Sequence, residues 1–143
     1  HKEDMLPWRF RTYVSETGRG EVQKHIDALD VEAAEFFRAA VRWLAPMPAS
    51  EWHEPKAKKL HGYKELYEIR FKANGVQQRP IGFFGPESNQ FTILIWATHK
   101  QRVYKPAEAL DTADRRRKAV VTKTAGSTPL QVDGEDFPTT EEP

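Results

Sequence analysis

The sequence predicts an α+β domain with a small antiparallel sheet of about four strands, two N-terminal helices and one C-terminal helix. Three observations carry this reading. Apolar residues recur at helical spacing from Val31 to Ala45. Two alternating runs flank Asn74-Gly75, a strong hairpin signal. Phe91–Thr98 is nearly all apolar, as expected of a central strand covered on both sides.

The chain has 143 residues, enough for one core. It divides into an N-terminal extension or cloning scar (1–7), a folded domain (8–123) and an acidic disordered tail (124–143). No apolar run approaches the roughly 18 to 20 residues of a membrane span. The absence of Cys excludes disulfides, thiol catalysis and Cys-ligated zinc. Together these features favour a cytoplasmic protein with no membrane partner.

The elements follow in order. Trp8–Val14 (WRFRTYV) alternates well enough for a first strand, and SETGRG turns the chain. Glu21–Leu29 places Val22, Ile26 and Leu29 on one helical face. Asp30 is a natural N-cap for the next helix. There Ala33, Phe36, Phe37, Ala40, Trp43 and Leu44 form a wide apolar stripe facing the core. Pro46 and Pro48 end it. ASEWHEPKAKK is a polar connector. Its His53-Glu54 pair has no second ligand pair at metal-binding spacing, so no metal or other cofactor is expected.

Leu66–Lys72 (LYEIRFK) is the clearest strand. Tyr67, Ile69 and Phe71 share one face; Glu68, Arg70 and Lys72 share the other. On the returning strand (VQQRPIGFF), alternation puts Arg79 with Ile81 and Phe83, an awkward place for a charge. Pro80 cannot donate to the ladder, so a bulge or break is expected there. GPESN turns into Phe91–Thr98, and HKQRVYK is the strand exit. Pro106 opens a last helix outlined by Ala107, Leu110, Ala113 and Val120 or Val121. Its Arg115–Lys118 run suits either the negative helix end or an anionic ligand.

Net charge is +1, but residues 1–55 carry −3, residues 56–123 carry +9 and residues 124–143 carry −5. A basic middle between acidic ends points to an anionic partner for the middle block. The cationic and polar residues there are Lys56, Lys58, Lys59, His61, Lys64, Arg70, Lys72, Arg79, His99, Lys100, Arg102, Tyr104 and Lys105. No GxxxxGK loop or GxSxG elbow occurs, and no carboxylate pair suggests acid/base work. What remains suits metal-independent RNA cleavage. The ribose 2′-hydroxyl attacks phosphorus, cations hold the added charge, and His99 or Tyr104 exchanges protons.

The pattern K-x-L-x-G-x-x-x-L-x-E-x-R falls on Lys58, Leu60, Gly62, Leu66, Glu68 and Arg70. Arg79 follows on the next strand, then an apolar strand ending ATHKQRVYKP and the helix AEALDTADRRR. This set resembles the RelE/HigB superfamily of bacterial and phage toxins, and most of all its HigB-like, phage-associated branch. The resemblance implies a RelE-like fold and a toxin that cleaves mRNA on the ribosome. It implies as partners the ribosome, mRNA and a cognate antitoxin of helix-turn-helix type. Carried over by position, the catalytic set is Arg70, Arg79, His99, Lys100 and Tyr104. The RNA-binding set is Lys58, Lys59, Lys64, Lys72, Arg102 and Lys105. RelE proper has Lys where this chain has Glu68, and the acidic tail lies outside the pattern. Two rival expectations come from other classes: a ParE-like inhibitor of DNA gyrase without nuclease activity, and a non-catalytic phage-derived module binding RNA or protein.

Overall fold

The computed structural model describes residues 6–138. In chain order these form β1 (Arg9–Val14), α1 (Glu21–Asp27), α2 (Val31–Leu44), a short 3-10 turn (Ala49–Glu51), β2 (Ala57–Lys59), β3 (Tyr67–Ile69), β4 (Phe71–Ala73) and β5 (Val76–Phe84). Then come β6 (Gln90–Lys100), β7 (Val103–Lys105), α3 (Ala109–Val121), β8 (Gly126–Pro129), β9 (Gln131–Val132) and β10 (Glu135–Asp136).

The expected small antiparallel sheet of a RelE-like fold is corrected. The main sheet has eight strands in the order β2-β3-β5-β6-β1-β8, with β4 also on β5 and β7 also on β6. It is mixed, because β1 runs parallel to β6 while the other pairs are antiparallel. The extra strands come from segments with no apolar alternation. Lys-rich 57–59 and 103–105 pair as short outer strands. Their ladders depend on a distant partner strand, which local pattern does not report.

β6 is the central strand, buried throughout Phe91–Ala97. Cross-strand pairing assigns its faces. Trp96 sits opposite Pro80 and packs on Phe37 of α2, Phe71 of β4 and His25 of α1. On the other face, Ile95 meets Ile81, Ala97 meets Arg79 and His99 meets Tyr104. Pro80 stays within the ladder, and the irregularity comes between Ile81 and Gly82 instead. A Cβ on Gly82 would sit 2.2 Å from the Thr92 carbonyl oxygen, so the strands close there only around glycine. The β4–β5 hairpin turns at Asn74 (φ 54°) and Gly75 (φ 76°), the left-handed geometry of a tight two-residue turn.

Asp30 caps α2 by accepting from the Ala33 amide at 2.9 Å. The buried face of α2 is Ala33, Ala34, Phe37, Ala40, Val41 and Leu44. Phe36 and Trp43 fall off it, 48% and 53% exposed, so the expected stripe is wider than the sheet surface that receives it. Lys56 covers the Trp43 ring at 5.0 Å.

The tail is also corrected over 124–138. β8 pairs with β1, and β9 and β10 form a separate hairpin. Leu130, Val132 and Phe137 join the core. Gln131 bonds Gln23 of α1, Arg38 pairs with Asp133, and Arg42 lies 5.1 Å from the Phe137 ring centre. Composition suggested disorder, but three spaced apolar side chains find a surface across α1 and α2. Residues 139–143, and 1–5 of the N-terminal extension, lie outside the described residues. Among the described residues no helix is long and apolar enough to cross a membrane.

Candidate functional site

The site grows from β3. The β2–β3–β5 ladders put Glu68 beside Lys58 on one side and Ile81 on the other. Its side chain is 4% exposed. Both carboxylate oxygens are occupied. Oε1 accepts the Tyr104 hydroxyl at 2.5 Å; Oε2 lies 3.3 Å from Arg70 Nε and 3.7 Å from Arg79 Nε. Four of the five expected catalytic residues therefore converge on one face: Arg70, Arg79, His99 and Tyr104. Lys100 does not join them. It is exposed and pairs with Val103, which places it on the opposite face by alternation.

The two arginines differ. Arg79 is 5% exposed, and its Nη1 and Nη2 donate to the Gln78 carbonyl at 2.9 Å and Gln77 Oε1 at 3.0 Å. Among the described residues its Nε has no hydrogen-bond partner, and it relies on Glu68 at ion-pair distance. Burial, then the Arg70 charge, weakens its hold on its proton, while Glu68 strengthens it. Arg70 is half-buried, and its Nη1 reaches Glu54 at 3.1 Å. Glu54 also holds Lys58 at 3.7 Å. Arg70 and Lys58 are thus the cations of this cluster that face water.

His99 and Tyr104 pack ring to ring, 4.7 Å between centres. Burial, with Arg79 next in weight, pushes the imidazole below the usual histidine range. It is neutral at pH 7 and able to accept a proton. Burial first, then the hydrogen bond to Glu68, pushes the Tyr104 phenol far above the usual tyrosine range. Its proton stays on and points at Glu68.

The expected RNA-binding cations divide between the faces. Lys58 pairs with Glu68, and Lys72 with Gln77, which puts both on the Glu68 face. Lys59 pairs with Tyr67 and Lys105 with Thr98, which puts both on the other. Lys64 and Arg102 are exposed in the turns before β3 and before β7. The Arg115–Lys118 run is mostly anchored. Arg116 donates to the Leu94 carbonyl and Glu21, both at 2.8 Å, and Arg117 and Lys118 pair with Asp114.

Two residues that hold the site together were absent from the expected set, Glu68 and Glu54. Alternation along LYEIRFK already put Glu68 on the Arg70 face; its partners on β5 and β7 are nonlocal. Among the described residues no cluster of His, Asp and Glu is arranged to hold a metal ion. A separate groove of about 700 Å³ opens among Tyr13, Thr17, Arg19, Glu21 and Arg116, and includes none of the Glu68 cluster. Comparison with protein-family models, curated proteins and solved structures finds no match to this chain.

Proposed function

We propose that this chain is a cytoplasmic mRNA interferase, the toxin of a type II toxin–antitoxin pair, which cleaves mRNA on the ribosome without a metal ion. One observation carries the reading. Arg70 and Lys58 face water beside a neutral His99, on one face of one sheet. In the proposed reaction a phosphodiester lies against Arg70 and Lys58, which take up the charge developing on phosphorus. His99 removes the 2′-hydroxyl proton. The 2′-oxygen bonds to phosphorus as the P–O5′ bond breaks, and the 5′-oxygen takes a proton from solvent. The products are a 2′,3′-cyclic phosphate and a 5′-hydroxyl. The resemblance to HigB-like toxins supports the ribosome as the setting and an antitoxin as the partner.

Glu68 favours a second reading. It neutralises one of the two guanidiniums it touches, and Glu54 opposes the other. A site with so little free positive charge also suits a module that binds RNA or a protein without cutting, including a gyrase inhibitor. Translating ribosomes incubated with the protein, beside a gyrase supercoiling assay, separate the readings. Cut mRNA with supercoiling intact supports the interferase. Lost supercoiling with intact mRNA supports the inhibitor.

A further inference from the structure

We infer that Glu68 is the positioning residue of this site: it holds Arg70, Arg79 and Tyr104 in place, so that Tyr104 serves as scaffold and His99 is the side chain that takes the 2′-hydroxyl proton. The inference rests on the interferase reading for its catalytic consequence. Its geometry stands independently.

Three groups from separate parts of the sheet meet one buried carboxylate. Arg70 follows β3, Arg79 lies on β5 and Tyr104 on β7. Glu68 Oε1 takes the tyrosine hydroxyl, and Oε2 faces both Nε atoms. An arginine gripped at Nε keeps its stem fixed while its Nη edge points elsewhere. For Arg79 that edge is used by Gln77 and Gln78. For Arg70, among the described residues, that edge is engaged at Nη1 alone, by an exposed Glu54 that a phosphate is able to displace. Glu68 thus sorts the arginines into one that braces and one that binds. It also draws the Tyr104 proton inward, away from any substrate. By elimination, proton transfer falls to His99. The charged and titratable groups around His99 are Arg79, Glu68, Arg70, Lys58 and Tyr104.

Two variants and two readouts test this. Glu68→Gln keeps the shape, but it presents one oxygen and one amide and no charge. NMR of the free protein reads the arginine Nε–H signals and the His99 titration; neither depends on any activity. Glu68→Gln is expected to shift both arginine signals and lower the His99 titration point, because the one nearby anion that favours imidazolium is gone. Tyr104→Phe leaves the carboxylate and both ion pairs, so the arginine signals are expected to hold. In ribosomal mRNA cleavage, Glu68→Gln is expected to lose about tenfold or more through misplacement of Arg70, and Tyr104→Phe to stay within about threefold of wild type. Unmoved arginine and His99 signals in a folded Glu68→Gln would overturn the positioning role. Abolished cleavage in a folded Tyr104→Phe with intact arginine signals would overturn the scaffold role and return Tyr104 to the chemistry. A wild type that cuts nothing defeats the interferase reading, while the NMR arms still decide what Glu68 holds.

Discussion

Replacing Arg79 with alanine is expected to cost fold stability first and function second. The residue is 5% exposed and its side chain makes two hydrogen bonds, at 2.9 and 3.0 Å, besides its ion pair with Glu68 at 3.7 Å. Removing one partner of a buried pair costs about 3 to 5 kcal/mol, because the remaining charge is left in low dielectric. Here Arg70 and the Tyr104 hydroxyl still face Glu68, so the low end, about 3 kcal/mol, applies. For a chain of this size that is a fall of roughly 10 °C in melting temperature. Thermal unfolding followed by circular dichroism gives the number. Arg79→Lys keeps the charge but loses the fork, and is expected to fall between alanine and wild type. An Arg79→Ala protein that melts within about 2 °C of wild type yet no longer acts would refute the bracing role and make Arg79 a free functional arm.

Leu130→Ala removes a fully buried side chain from the segment after β8 and is expected to cost about 3 kcal/mol, read from a urea midpoint; a change below about 1 would mean the segment is not docked. His99 binds its proton more weakly in the fold than its ordinary 6.5, so its contribution to stability is intact above that value and lost as pH falls through it. His25, held low by burial, acts in the same direction. His99→Gln should therefore flatten part of the fall in stability between about pH 7 and 5, measured by denaturant titration. If the basic face binds RNA, Lys58→Ala and Lys72→Ala should each lower the salt slope of oligonucleotide binding by about 1, and Lys59→Ala should leave it unchanged. Equal slopes for all three would show that the two faces are not distinguished.

The sheet face of the site was legible because strand alternation is local. LYEIRFK separates Glu68, Arg70 and Lys72 from Tyr67, Ile69 and Phe71, and VQQRPIGFF puts Arg79 with Ile81 and Phe83. The partners were not legible. Glu68 meets Arg79 and Tyr104 across ladders whose register is set by Gly82 and by the β6–β7 turn, many residues away. The same limit explains the tail. Leu130, Val132 and Phe137 are too few to form a core alone, and they become buried only because α1, α2 and β1 offer them a surface. Phe36 and Trp43 fail in the opposite sense. Helical spacing identifies an apolar stripe but not how much of it the sheet covers.

The central claim is attack by a ribose hydroxyl, and one substrate change addresses it directly. Translating ribosomes are programmed with an mRNA that the protein cuts, and again with the same mRNA carrying a 2′-deoxy sugar at the cut position. The account predicts cleavage of the first, leaving a 2′,3′-cyclic phosphate, and no cleavage of the second at that position. Equal cleavage of both would contradict it.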